Sequence, residues 1–488
     1  MDEALFLIPP IDLSRYKVSA DRVYGCNYGF DYKTPIHLLQ LATLAMNVGW
    51  KVKLLDCPAQ GYTTKRLKKY LIKNNSINLV IFFTTWLTLD EDILAANLVT
   101  QKLNGVRVLF TGPYPTWKPE SFLRQDNYCV IRGEPEATLL EVLKMGKTYD
   151  KIVNTQGLSF LINGCIQHNS PRALIDINDI PLPDRRLLHG QYFFNRITDY
   201  PATIACFSRG CSYRCTYCAP HALDQAIEIE QSKSDQQKPN LRIRKIDDVV
   251  SDFEDIYNLG YRSVEICDNQ FIWGKERTIE ICERITNFRL QWVCYARADS
   301  LLDKDMLQVM SKAGCRLVYI GTESFDQRIL DDVKKDIYLQ DIYTAVRLVR
   351  ECGIEPEVSV LLGSSYLETE DSIRHSINEA RKLNTKFVHF SIASPLPNTS
   401  LYRLSKKNGW IRGGDFIPAD NIREGLLDLP KVSSKRMKAI VRSCYFRQYL
   451  TPHFVLQQIF APSFVRNIKY KIRALLMLIK YFYCMYFL

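Results

Sequence analysis

Three cysteines crowd the segment SRGCSYRCTYCAP, residues 208–220, with three residues between Cys211 and Cys215 and two between Cys215 and Cys218. The segment is polar and carries Arg209 and Arg214. Such surroundings do not suit the small buried hydrophobe that an unliganded cysteine usually is. Structural zinc asks for four ligands, commonly as two spaced pairs, and no partner Cys-x-x-Cys pair occurs elsewhere. A redox dithiol uses two thiols. Three thiolates suit an iron–sulfur cluster in which one iron keeps no protein ligand. A small molecule can bind that open iron and be reduced there, so the missing fourth ligand marks the functional position. Of the fifteen cysteines, most others lie in apolar patterns such as SVEICDN and QWVCYAR and read as core.

The elements that must position this loop form a repeating pattern. TIACFS is a strand running into the cysteines. Strand patterns recur in SVEICDN, QWVCYARAD, RLVYIGTES, EPEVSVLLG and FVHFSIASPLP, separated by helical segments. That makes about six βα repeats over 201–412, too few for a closed eight-stranded barrel. Residues 1–150 show the same alternation, from EALFLIPP to EPEATLLEVLKMG, and predict a Rossmann-like, doubly wound parallel sheet. Ligands in such sheets sit at the carboxyl ends of the strands, here Thr84-Thr85-Trp86, Gly112-Pro113-Tyr114 and Gly133-Glu134. Residues 151–200 read as a hairpin turning at Asn163-Gly164, followed by a Pro-rich linker, IPLPDRRLLHGQYF. EQSKSDQQKPN reads as a surface insertion. Residues 413–488 read as a basic helical region ending in an apolar tail. The fold class is α/β: a doubly wound sheet, a partial (β/α)6 barrel and a helical C-terminal region.

The chain has 488 residues, 47% hydrophobic and 24% charged, the composition of an ordinary globular protein. Its net charge of +11 favours anionic partners. MDEALFLIPP is acidic at once and has only a short apolar run, so no secretory signal is expected. The compartment is expected to be reducing and cytoplasmic, without a disulfide framework.

Cys211-x-x-x-Cys215-x-x-Cys218 after the first strand of a βα partial barrel resembles the radical S-adenosylmethionine (SAM) superfamily. The resemblance implies a 4Fe-4S cluster on these three cysteines, with the amino and carboxylate groups of SAM on the open iron. One electron then cleaves SAM to methionine and a 5′-deoxyadenosyl radical; an electron donor such as flavodoxin or ferredoxin is implied. Tyr217 sits where the family has an aromatic residue beside the adenine. ICDNQFIWGKER resembles the second-strand segment that meets the methionyl amino group, with Asp268 and Asn269 in place of the more usual Gly-Gly-Glu. Arg297 and Glu323, at the third and fourth strand ends, are read either as SAM contacts or as members of an internal salt bridge. SPLPNTSLY resembles the Pro-rich exit after the sixth strand.

A doubly wound domain ahead of such a barrel resembles the cobalamin (B12)-binding branch of the superfamily, the class B methyltransferases. TGPYPT and VIRGEPEATLLEVL resemble its fourth and fifth strand ends, and IPLPDRRLL its interdomain linker. The resemblance places cobalamin at Thr84, Thr85, Gly112, Pro113, Tyr114, Gly133 and Glu134. No Asp-x-His-x-x-Gly motif is present, so no histidine is expected on cobalt. Methylation of an unactivated carbon of a small or lipid-like substrate is implied. A cobalamin-independent radical SAM cyclase or rearrangement enzyme is one alternative, and a non-catalytic iron–sulfur sensor or scaffold is another. Methylthio transfer to tRNA, and nucleic acid as a partner, are disfavoured because Cys26, Cys57 and Cys129 are scattered without the context of that family.

The tail IRALLMLIKYFYCMYFL, Ile472–Leu488, falls short of the ~20 apolar residues that span a bilayer. Arg466, Lys469, Lys471 and Arg473 lie before it or at its start. Basic flank and aromatic end suit peripheral contact with a membrane interface; a helix docked on protein is the competing reading.

Replacing Cys211, Cys215 or Cys218 by Ala is expected to abolish cluster absorbance and SAM cleavage, each single change nearly as damaging as all three because the ligands act as a unit. Cys206→Ala is expected to keep its iron, measured per chain after anaerobic reconstitution.

Overall fold

In the computed structural model, residues 2–13, 20–24, 32–146, 149–190, 192, 198–218, 221–233, 240–417 and 425–449 are described. Continuous apolar runs form the first parallel strands: β1 Glu3–Ile8, β2 Lys51–Asp56, β3 Leu79–Phe83, β4 Arg107–Thr111 and β5 Tyr128–Ile131. Strands buried on both faces lose the polar alternation, and β1, β3 and β5 are buried at every position. Helices cover the sheet, among them Ile36–Asn47, Leu89–Lys102 and Glu136–Met145.

The Asn163-Gly164 hairpin does not stand apart. Both turn residues have positive φ, 51° and 75°, as a two-residue type I′ turn requires. Its strands, β6 Leu158–Ile162 and β7 Cys165–His168, add antiparallel to β5, giving a seven-stranded sheet in the order β2-β1-β3-β4-β5-β6-β7.

The second sheet is all parallel and six-stranded. It comprises β8 Ala202–Ala205, β11 Ser263–Ile266, β12 Gln291–Ala296, β13 Cys315–Glu323, β14 Glu355–Leu362 and β15 Phe387–Ile392, in the order β15-β14-β13-β12-β11-β8. Two short antiparallel strands, β9 Ser208–Arg209 and β10 Arg242–Ile243, lie between β8 and β11 in sequence. One face of the large sheet presents Val318, Ile320, Val358, Val360, Val388 and Phe390 to a continuous apolar core with its helices. A second core spans both sheets: Phe6, Ile81 and Leu109 share it with Ala202, Ile204 and Leu223.

Three expectations change. The Pro-rich linker is docked, because Arg185 is buried with its guanidinium on Asp252 at 2.6 and 3.0 Å and on the Ile204 carbonyl at 2.9 Å. The expected surface insertion begins inside the helix Ala222–Ser232, where Glu230 is buried; residues 234–239 lie outside the described residues. The C-terminal region is not helical from 413: isolated bridges join Ile411 to Leu427 and Leu429 to Val432, and the helix starts at Ser434. The tail Ile472–Leu488 lies outside the described residues. Among the described residues no helix is long and apolar enough to cross a membrane.

Gly314, which leads into β13, has φ +99°, and an added Cβ would overlap the Leu290 carbonyl oxygen. Gly353 has φ +76° but more room, with Ser311 Oγ at 3.9 Å. Gly353→Ala should therefore cost only the left-handed strain, about 1 kcal/mol, while Gly314→Ala adds overlap with backbone and should cost about 2–3 kcal/mol. Urea unfolding of the two variants measures the difference.

Candidate active site

The cysteine loop leaves β8 at the carboxyl edge of the barrel and is pinned from β11. Asp268, two residues beyond that strand, accepts the N–H groups of Phe207 and Ser208 on Oδ1 at 2.7 and 3.0 Å. Burial pushes the Asp268 carboxyl well above the usual range. Asn269 donates to the Gly210 carbonyl at 3.0 Å and to Asp224 at 2.7 Å, and accepts the His221 N–H at 3.3 Å. Both residues expected at the methionyl amino group thus fasten the loop. Farther along, Thr216 N–H donates to the Val333 carbonyl at 2.9 Å, and the Thr216 carbonyl accepts from Leu401 N–H at 2.9 Å. The Arg297 guanidinium lies 3.6 Å from the Tyr213 ring centroid, between two of the cysteines in sequence.

Cys211, Cys215 and Cys218 are half-buried and in no disulfide. Among the described residues no three metal-ligating side chains converge on one ion position.

Arg297 and Glu323 are both ion-paired, though not with each other. Arg297 pairs with Asp299 at 2.9 Å and donates to the Asp336 carbonyl at 3.0 Å. Glu323 pairs with Lys335 at 3.0 Å, and Lys335 Nζ lies 3.5 Å from the Tyr217 hydroxyl. Burial opposes the charge on Lys335, but Glu323 outweighs it and raises the ammonium. Glu323 has φ +61°, an uncommon conformation for a residue with a Cβ. Gly321 leaves room for the pair, since a Cβ there would lie 2.8 Å from Glu323 Oε1 and 2.9 Å from Lys335 Nζ. The structure thus gathers Tyr217, Glu323 and Lys335 beside the loop. Lys335 carries no sequence signal, standing in a polar connection among other charges.

The inner face of the barrel is recognisable by exposure. Along β13, β14 and β15, buried residues alternate with half-buried ones. The buried set packs on the outer helices, so the half-buried set faces the lumen. Tyr295, Tyr319, Ser359, His389 and Ser391 belong to it. Tyr295 and Tyr319 stack at 4.5 Å between centroids. On the β11 side the lumen is closed by Lys33, which reaches Glu265 at 2.5 Å, with the Tyr295 hydroxyl donating to the same carboxylate oxygen at 2.9 Å.

The seven residues expected at cobalamin do come together at one edge of the first sheet, but facing protein. Thr84 and Thr85 are fully buried, and the Thr84 N–H donates to the Thr111 carbonyl at 2.7 Å. Gly112 abuts Thr84, and Pro113 and Tyr114 start the short helix Pro113–Trp117. Gly133 backs onto the Glu230 side chain. Glu134 takes Arg209 at 2.5 Å, Arg242 at 2.9 Å and the Ile175 N–H at 3.1 Å. Burial would raise its pKa, but the two guanidiniums hold it below the usual carboxylate range. As they stand, these seven residues are packed against protein. They form the seam between sheet and cysteine loop, completed by the ion pair of Arg209 with Glu136 and by its hydrogen bond to Gln40 at 3.2 Å.

At the root of the loop, Cys206 Sγ lies 3.9 Å from His221 Nε2, which pairs with Asp224 at 3.3 Å. A hydrogen bond from the Cys267 thiol, with His221, holds the Cys206 pKa well below the usual thiol value against burial. Burial disfavours the His221 imidazolium, but Asp224 and Cys206 outweigh it and push the ring up to about 9.

Residues 206–380 match the Radical SAM superfamily. An uncharacterized methyltransferase of Pyrococcus horikoshii is 27% identical over 432 residues, covering 87% of this chain and 90% of that one. The anaerobic magnesium-protoporphyrin IX monomethyl ester cyclase of Cereibacter sphaeroides is 24% identical, and the match spans 64% of this chain and about half, 53%, of the cyclase. Among solved structures, the cobalamin-dependent S-adenosylmethionine radical enzyme OxsB, with aqua-cobalamin and S-adenosylmethionine bound, superimposes with a TM-score of 0.68 at 17% identity, over 98% of this chain and 72% of that one. At that identity the likeness is one of fold.

A histidine whose folded pKa is raised stabilises the fold fully below its unfolded value of about 6.5 and loses that contribution as pH climbs through the folded value. The stability advantage of the wild-type chain over His221→Gln is therefore expected to be largest below pH 6.5 and to fade toward about pH 9. Paired urea titrations across that window read it.

Proposed function

We infer that this chain, a radical SAM enzyme, holds a 4Fe-4S cluster on Cys211, Cys215 and Cys218 with SAM beside it, and methylates an unactivated carbon of a small or lipid-like substrate with cobalamin. The observation that carries the reading is the pinned three-cysteine loop at the carboxyl edge of a six-stranded parallel partial barrel. When bound, the cluster and SAM would supply a 5′-deoxyadenosyl radical that takes a substrate hydrogen, and cobalamin a transferable methyl group.

The chain's own residues bind, orient and exclude water, the part a protein plays around such cofactors. Asp268, Asn269 and Asp224 fasten the loop at Phe207, Ser208 and Gly210, just ahead of the first thiol. Tyr217, held at its hydroxyl end by Lys335, would offer its ring to the adenine. Glu323 and Lys335 present a fixed ion pair at the lumen mouth, suited to the hydroxyl and carboxylate groups of SAM. The lumen offers stacked tyrosines below and hydroxyls and an imidazole above, so a substrate with an apolar body and a few polar handles suits it. Cobalamin dependence is supported by the fold shared with OxsB, and methyl transfer by the relative described as a methyltransferase. No cobalamin contact is assigned to Thr84, Thr85, Gly112, Pro113, Tyr114, Gly133 or Glu134. An electron donor such as flavodoxin or ferredoxin belongs to the same reading.

A cobalamin-free cyclase or rearrangement enzyme is the second reading; the cyclase relative favours its ring chemistry, and the burial of those seven residues its lack of cobalamin. One anaerobic experiment separates the two. The reconstituted chain, given SAM and dithionite, should release 5′-deoxyadenosine and retain cobalamin through gel filtration. The cobalt(II) form should show no nitrogen superhyperfine coupling from an axial base. Release of 5′-deoxyadenosine without retained cobalamin would favour the second reading, and absence of release would remove both.

A further inference from the structure

On the outer side of the barrel, away from the loop, the helices Glu370–Lys382 and Ser434–Tyr449 enclose a cavity of about 300 Å³. Its rim carries three guanidiniums, Arg374, Arg381 and Arg436, and between them Ile377, Ala439 and Ile440 share the lining with Asn378, Ser443 and Cys444. Glu370 binds Arg374 and Arg436 at 2.7 and 2.6 Å and so holds both in place, yet each side chain stays about half exposed. Arg381 is exposed and has no carboxylate partner among the described residues. One carboxylate against three guanidiniums leaves the groove positive. The helix Ser434–Tyr449 adds to this, with five basic residues and no acidic one.

We propose that this groove is a docking site for an anionic phospholipid surface, taking a headgroup phosphate between Arg374, Arg381 and Arg436 and the glycerol region over Ile377, Ala439 and Ile440. Guanidiniums are the side chains best matched to phosphate oxygens. Ile377, Ala439 and Ile440 between them give an amphiphile an apolar contact that a free phosphate would not use. Single-stranded nucleic acid would call for aromatic stacking surfaces, and the groove lining has none. The chain downstream of Tyr449 continues in the same chemistry: Arg466, Lys469, Lys471 and Arg473 accompany the apolar run Ile472–Leu488, so a second contact with the same surface is built into the sequence. The site is independent of the chemistry proposed for the barrel.

The test is co-sedimentation of the full chain with phosphatidylcholine vesicles, with and without phosphatidylglycerol. Binding is expected only with the anionic lipid. Arg381→Gln should weaken it about fivefold, the usual contribution of one basic residue near an anionic surface. Arg374→Gln should weaken it by a similar factor. Lys68→Gln, on the exposed basic helix Thr64–Lys73 of the first sheet, should leave it unchanged. Equal loss with Lys68→Gln, or no loss with Arg381→Gln and Arg374→Gln, would overturn the proposal in favour of diffuse attraction. Displacement by millimolar inorganic phosphate, or tighter binding to a single-stranded oligonucleotide than to vesicles, would overturn it in favour of those ligands.

Discussion

The structure turns on one buried guanidinium. Arg209 leaves the barrel in the first residues of the cysteine loop and ends between Glu134 and Glu136, at the carboxyl edge of the other sheet. All three side chains are nearly inaccessible to water. Breaking a buried pair by removing one partner costs about 3–5 kcal/mol, because the remaining charge is left uncompensated. Arg242 from β10 joins Glu134, and Arg132 ties Glu230 of the following helix to the same edge at 2.8 Å. The loop that would hold the cluster is thus shared between the sheets, with hydrogen bonds from β11 on one side and ion pairs from β5 on the other.

That arrangement divides the barrel. On the β8 and β11 side, the first sheet and the helix Ala222–Ser232 close the lumen with a common core, sealed by Lys33 and Glu265. On the β13–β15 side alternate residues stay half-buried. The free space of the lumen therefore lies opposite the seam, beneath the Glu323–Lys335 pair. Gly321 makes this geometry possible, because any side chain there would displace the pair.

What the sequence reveals follows from how interactions are spaced along it. The three cysteines are legible because all the ligands sit within eight residues. The strands are legible because apolar runs are local, and the Asn163-Gly164 turn because its backbone conformation selects those residue types. The seam is not legible: Arg209 stands 75 residues from Glu134 and 73 from Glu136, and each alone looks like an ordinary surface charge. Arg185 is hidden the same way, its polar neighbours suggesting a solvated linker while its partner Asp252 lies 67 residues on. The helix Ala222–Ser232 did leave a trace, with Ala222, Ala226 and Ile229 at helical spacing, obscured by the polar run after it. Ile411, Leu427, Leu429 and Val432 adopt bridges instead of a helix because their burial against the barrel outweighs local preference. Asp268 and Asn269 follow β11, and their hydrogen bonds go to the loop.

The most direct measurement concerns the seam itself. Arg209→Lys keeps the charge but loses the fork that reaches two carboxylates at once. If the seam positions the cysteines, this variant should fold, as judged by circular dichroism, while binding less iron per chain and forming less 5′-deoxyadenosine per cluster. Iron content and yield equal to those of the wild-type chain would contradict it.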